Sequence, residues 1–346
     1  MKKWIPAACA AALALASTGA FAETKLLFST FFPPQHPLVK QVLQPWAASV
    51  QQATGGSVVV EFSPTSLAPP PGQMDMVSKG IADITVQFAG VVPNRLTSLL
   101  ITEVPGPVST SEAMSVALWR THEKYFAQAD EHKGVKMLSV FALPPQGFFG
   151  TKDEPLANLD QLKSAKIATT PGTAARAYGS VTSGVVAGPA VRYFELVSKG
   201  MVDAYVSVTP LDVMGFNLAR YTKTAMTLPG LGTAGSFSLV MSEARWKKLT
   251  PAEQAAIAKV SGEAFARSLS AMDTANKGAI KAMQEQGTKF VDAPAALVQD
   301  LGKSFAFVEK EWAAEVGKRG VDGAALAHFG GPLLLDEGER LAQVLH

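Results

Sequence analysis

Residues 77–83 read VSKGIAD, and 120 residues later residues 197–203 read VSKGMVD. In each copy a helix is expected to end in Lys-Gly, the glycine supplying the left-handed stop that a side chain resists. An aspartate follows, and then an apolar run with strand character, ITVQF in the first copy and AYVSV in the second. A helix–strand unit built twice at this spacing predicts two similar α/β domains rather than one long sheet. Chain length agrees, because 346 residues exceed what one core usually holds.

The N-terminus reads as a leader. Lys2 and Lys3 precede an apolar stretch, and Ala20-Phe21-Ala22 forms a small-x-small cleavage site before Glu23, so residues 1–22 are expected to be a cleaved signal peptide. No later run is apolar for the roughly 18 residues a membrane helix needs, so the mature chain is not expected to insert. The single cysteine, Cys9, falls inside the leader. The expected mature chain therefore has no disulfide and no thiolate metal site. Removing the leader takes two lysines from 31 basic residues and leaves 29 against 29 acidic ones. A charge near zero argues against nucleic acid as a partner.

Strands are expected at 25–30, 57–62 and 81–88, with helices at 36–54 and 72–79 between them. In the first helix Val39, Val42, Leu43, Trp46, Ala47 and Val50 recur at helical spacing. Near the end, LTPAEQ at 249–254 carries Thr250 as N-cap, Pro251 in the first turn and Glu253 completing a capping box. Only Gly262 and Gly278 interrupt the pattern before Gly287, so one helix of about 50 Å is expected, long enough to run across both domains. Another helix is expected from Pro294 to about Val316, and then a tail. The stretch KIATTPGTAARAYG at 166–179 reads as a strand end and a helix start, with Pro171 as first helical residue and Thr169 and Thr170 placed to cap it.

Motifs for chemistry are scarce. GLGTAG at 230–235 matches a dinucleotide fingerprint, but SFSLVMS follows it and alternates like a strand, so the glycines read as a loop. The five histidines, 36, 122, 132, 328 and 346, lie far apart, and no nucleophile elbow or phosphate loop occurs. No cofactor, no metal and no catalysis are expected.

Four stretches carry a family likeness. FFPPQHPLVKQVLQPWAASVQQATGGSVVVEF, MVSKGIADI, LANLDQLKSAKI and YFELVSKGMVDAYV resemble the periplasmic solute-binding proteins of TRAP transporters, the DctP-like family, and the LTPAEQ helix is similar to theirs. The resemblance implies a two-lobed periplasmic binding protein of type II-like α/β architecture, with a hinge of crossing strands and a long helix spanning both lobes. Lobe I would comprise 23–145 plus 239–287, and lobe II 146–238 plus 288–346. A small organic ligand would bind between the lobes, and the closed form would deliver it to membrane permease subunits. Two other classes stay open: a sensor presenting the closed form to a membrane receptor, and a secreted enzyme of unrecognised type.

In that family the strand matching AKIAT carries an arginine that clamps a ligand carboxylate, and some members carry a second near PQGFFGT. Here those positions are Ala168 and Phe148. A bidentate guanidinium is hard to replace, so an aromatic or apolar monocarboxylate, or a neutral compound, is expected instead of a dicarboxylate. Candidate ligand contacts are Phe31, Phe32, Gln87, Phe88, Phe148, Phe149, Thr169, Thr170, Thr173, Tyr205, Ser207 and Thr209, with Arg192 or Arg176 as a substitute clamp. The phenylalanine pairs would serve equally as core, the threonines as caps and the arginines as solvated surface.

Overall fold

A computed structural model describes residues 23–326, so the expected leader and the tail beyond 326, with His328 and His346, lie outside the described residues. The first half runs β1 (Thr24–Phe28), α1 (Gln44–Ala53), β2 (Val58–Phe62), α2 (Gln73–Ser78), β3 (Ile84–Phe88), α3 (Ser111–Thr121) and β4 (Val135–Ala142). The second runs β5 (Gly147–Gly150), α4 (Leu159–Ser164), β6 (Ile167–Thr169), α5 (Thr173–Gly179), β7 (Val185–Ala187), α6 (Tyr193–Ser198), β8 (Ala204–Val208), α7 (Pro210–Gly215) and β9 (Thr224–Thr227). The chain then returns through β10 (Ser236–Ser242), α8 (Glu243–Trp246), α9 (Pro251–Lys259), α10 (Gly262–Arg267), α11 (Ser270–Glu285), β11 (Lys289–Asp292) and α12 (Ala295–Gly317).

Two sheets result, in the orders β2-β1-β3-β10-β4 and β11-β9-β5-β8-β6-β7. The first is parallel at one end and the second at both, and each takes one antiparallel strand into its interior: β10 between β3 and β4, and β5 between β8 and β9. β10 joins the first sheet from Ser236, ahead of the lobe boundary expected at 239. The segments that carry the chain across bond to one another. Leu143 N–H donates to Gly235 O (3.0 Å), Gln146 N–H to Thr233 O (2.9 Å), and Gly106 bridges Gly232.

The repeated VSKG units fold alike. Gly80 and Gly200 both take positive φ, 72° and 64°, at the ends of α2 and α6. The aspartates that follow do the same work: an Asp83 oxygen accepts Leu27 N–H at 2.8 Å, and an Asp203 oxygen accepts Lys166 N–H at 2.9 Å. Each carboxylate thus ties the start of its own strand to the neighbouring parallel strand, and each also meets a cation, Arg245 or Lys152.

The long helix expected over 251–286 is instead three pieces, α9, α10 and α11. Its capping box at Thr250 and Glu253 forms as anticipated. The break comes from tertiary contact. Gly262 adopts φ 57°, and a Cβ there would lie 2.8 Å from the Trp119 ring. Ser139 Oγ donates to Gly262 O at 2.9 Å, and Trp46 Nε1 reaches Ser261 Oγ at 3.3 Å. The helix that ties the two halves together is α12, about 34 Å long. Leu297, Leu301, Phe305 and Val308 pack under the second sheet, while Trp312 and Val316 pack with Leu99 and Leu100 of the first half. Trp312 Nε1–H also donates to Thr97 O, 3.0 Å.

Pro171 is likewise not the first helical residue. α5 starts at Thr173 behind Gly172, whose φ is 86°, and no side chain caps it. The glycine is required by proximity: a Cβ on it would stand 2.7 Å from Gly90 O of the first half. Across the same interface a Cβ on Gly215 would lie 2.7 Å from the His36 ring. The two halves are therefore closed on one another.

Two buried histidines contribute to the response to acid. His122 and His132 meet edge to face at 5.4 Å, and His132 Nε2 bonds Ser238 Oγ at 2.7 Å. Burial pushes them down, to about 4 and about 3. The fold holds them neutral, so the stability they contribute is present above the unfolded value near 6.5 and is lost as pH falls toward 4. Thermal melting should show the midpoint dropping across that interval, and His132→Gln, which keeps a hydrogen-bonding side chain, should flatten the drop. An unchanged slope in the variant would count against this assignment.

Candidate functional site

The closed halves enclose a cleft with two connected parts that share Gln146 and Ser207. One part, about 520 Å³ with its mouth included, is an aromatic box. Phe31, Phe32, Phe88, Phe216 and Phe237 line it, with Leu143, Val91 and Pro70 between them. The rings support one another: Phe31 stacks on Phe32 at 4.5 Å, and Phe88 on Phe237 at 5.0 Å. The other part is lined by Phe148, Tyr178, Val206, Met226 and Phe305, with Glu103, Thr173 and Thr233 as polar members.

The segments that fold around the crossing build the polar junction. Thr233 Oγ1 donates to Gln146 Oε1 (2.9 Å), which fixes the amide and leaves its nitrogen toward Gly235. Ser207 has φ 65°, uncommon for a residue with a side chain. It sits at a bulge: β5 advances two residues from Gly147 to Phe149 while β8 advances three from Tyr205 to Val208. Bulges re-aim a side chain at a site, and the Ser207 hydroxyl is buried without a partner. Thr170 is 2% exposed and lines the box, its hydroxyl also unpartnered. Buried hydroxyls that find no partner cost stability and call for an explanation.

Opposite them stands a pair that sequence reasoning missed. Leu38 N–H donates to His36 Nδ1 (3.2 Å), so Nε2 carries the proton and donates to Asp212 Oδ1 (3.0 Å). Asp212 also closes a capping box with Thr209, accepting its N–H and its hydroxyl at 2.8 Å each. His36 comes from the first half and Asp212 from the second, 176 positions on, so the bond is a latch across the cleft. No local pattern in the sequence marks it.

Charge in the lining is sparse. Asp212 and Glu103 are the charged residue types present there, and both are acidic. Glu103 is 5% exposed, with one oxygen unpartnered. Burial pushes its carboxyl up to about 8, so it is a neutral acid at pH 7.

The anticipated contacts therefore divide. Phe31, Phe32, Phe88, Thr170, Ser207 and Thr209 line the box, and Phe148, Thr173 and Ser207 line the second part. The Thr209 hydroxyl is already engaged by Asp212. Gln87 lies outside both parts and is fully used: its oxygen accepts Met74 N–H, and its nitrogen donates to Pro70 O and Phe88 O. It positions two lining residues. Phe149 and Tyr205 stack on each other at 5.2 Å inside the core, and Tyr205 bonds Thr222. Thr169 is fully buried and lines neither part, and its hydroxyl has no partner. Ala168 packs in the core. Arg192 is exposed and outside the lining, while Arg176 pairs with Glu311 of α12. Among the described residues no cluster of three metal-ligating side chains occurs.

Comparison with known proteins agrees with this architecture. Residues 28–315 match the family DctP, described as bacterial extracellular solute-binding protein, family 7. The chain is 35% identical over 323 residues to the outer membrane transporter protein TsaT of Comamonas testosteroni, covering 93% of this chain and 95% of that one. A TRAP periplasmic solute-binding protein from Bordetella bronchiseptica, solved with bound (R)- and (S)-mandelate, superposes with a TM-score of 0.85 at 27% identity, covering 92% and 99% of the two chains. A TRAP solute-binding protein from Rhodoferax ferrireducens, solved with copurified benzoate, gives 0.83 at 22% identity over 92% and 99%. With the family match running through both α/β halves and the cleft between them, the chain belongs to the bacterial extracellular solute-binding proteins of family 7.

Proposed function

We propose that this protein captures aromatic monocarboxylates in the cleft, in the periplasm after removal of residues 1–22, and hands them to the permease subunits of a TRAP-type transporter. One observation carries the ligand class: five phenylalanines form the box, unpartnered hydroxyls stand at its edge, and no cation lines it. A phenyl group burying about 150 Å² of apolar surface there gains about 4 kcal/mol before ordering costs. The carboxylate is held by neutral donors, the hydroxyls of Thr170 and Ser207 and the amide of Gln146. A second carboxylate on the ligand finds no countercharge, and an unpaired buried charge is costly. The related Bordetella bronchiseptica protein was solved with mandelate, an acid of this class. The role is capture rather than turnover. The one hydroxyl and carboxylate in contact in the lining, Thr209 and Asp212, are engaged as a helix capping box, and His36 is spent on the latch.

Calorimetry on purified protein tests the ligand. Phenylacetate should bind at least 100-fold more tightly than succinate. Arg176→Ala and Arg192→Ala should leave its affinity within about twofold, and Thr170→Val should weaken it about tenfold, the scale of one lost hydrogen bond. Tight succinate binding that disappears in either arginine variant would overturn the reading.

Closure has its own test. Phenylacetate touches both halves, so it should lower the radius of gyration in small-angle scattering. Gly172→Ala places a methyl group against Gly90 O. This variant should keep the larger radius with phenylacetate present and bind it more than tenfold less tightly. A variant that contracts like the wild type would refute the role given to that contact.

A further inference from the structure

We infer that the Glu103 part of the cleft is a second subsite, which reads a hydroxyl carried on the carbon beside the ligand carboxylate and uses the Glu103 carboxyl as its hydrogen-bond partner. The inference rests on the aromatic-acid reading. The two parts meet at Gln146 and Ser207, the groups assigned to the carboxylate. A ligand with its ring in the box and its carboxylate at that junction has one carbon between them, and a hydroxyl on that carbon stands beside the carboxylate, at the mouth of the second part. There the polar side chain most in need of a partner is Glu103, whose buried Oε1 has none. That oxygen packs against Gly90, where a Cβ would approach it to 2.8 Å, so a glycine is needed there to seat the carboxyl.

The chemistry of the pair is complementary. At neutral pH Glu103 keeps its proton, and a carboxylic acid offers one donor and one acceptor. A hydroxyl offers the same two, so each group can satisfy the other. An ammonium would demand an ionised Glu103. A ligand without a second polar group leaves the acid dry and unpaired, which costs it about ten- to hundredfold in affinity. The surroundings add no competing charge. From α5 the titratable neighbour is Tyr178, itself pushed up by burial; Gly90, Phe88, Gln146, Phe148, Phe305 and Thr233 are neutral. Asp212, in the other part, is held by His36 and Thr209.

Calorimetry with mandelate and phenylacetate, which differ by this hydroxyl, tests the subsite on wild type, Glu103→Gln and Glu103→Leu. Wild type should prefer mandelate about tenfold or more. Glu103→Gln, which retains a donor and an acceptor, should keep most of the preference, and Glu103→Leu should bring the ratio near one. Raising the pH through about 8 ionises Glu103 beside an anionic ligand, so both acids should weaken in wild type and hold steady in Glu103→Gln. Equal ratios in all three proteins would overturn the subsite and leave the aromatic-acid reading standing. Failure of wild type to bind either acid would overturn both.

Discussion

The structure depends on an exchange of strands. Each sheet is completed by a strand running against its neighbours, β10 in one and β5 in the other, and the chain must cross between halves to deliver them. The two crossings hydrogen-bond to each other through Leu143, Gln146, Thr233 and Gly235. This makes a two-stranded strap that can flex while both sheets stay intact. It also places the cleft's polar floor at the crossing: Gln146 takes its orientation from Thr233, and both belong to the strap. Phe31, Phe32, Phe88 and Phe237 of the first half and Thr170 and Phe216 of the second complete the box around that floor.

No cation lines the cleft. Ala168, where the family resemblance leads one to expect an arginine, is fully buried in the core. A guanidinium pair is worth more than a neutral hydrogen bond, but it must be desolvated and it attracts any anion of the right size. Hydroxyls hold less tightly each and leave discrimination to shape. The trade moves selectivity from charge to the five rings. Pro70 is part of that wall, and its position is held by Gln87 from behind.

Local chemistry made much of this legible in the sequence. The repeated VSKG units declared themselves through glycine stops and strand-entry aspartates, whose partners are near neighbours in the sheets. What stayed hidden was decided at long range. Gly262 looked harmless within a helix because Trp119, which the break packs against, is far away in sequence. Thr169 and Thr170 read as caps because that is the local use of threonine, yet Gly172 takes the cap position. Gln87 and Tyr205 stood at strand ends, where ligands bind, and were spent on support. The His36–Asp212 latch and the isolation of Glu103 leave no mark in the sequence, because each depends on what the closing halves bring together or exclude.

The near absence of charge from the cleft sets how the protein responds to its surroundings. A protein working outside the cytoplasm meets dissolved salt at whatever concentration the medium supplies, and salt screens exposed ion pairs over about 10 Å at 0.1 M. A cationic clamp in a solvent-open cleft loses part of its pull as that screening grows. Dipoles at hydrogen-bond distance and apolar rings are barely screened, and excluded salts strengthen apolar burial. On the proposed reading, a box of phenylalanines edged by Thr170, Ser207 and Gln146 makes capture depend less on ionic strength than a cationic clamp would.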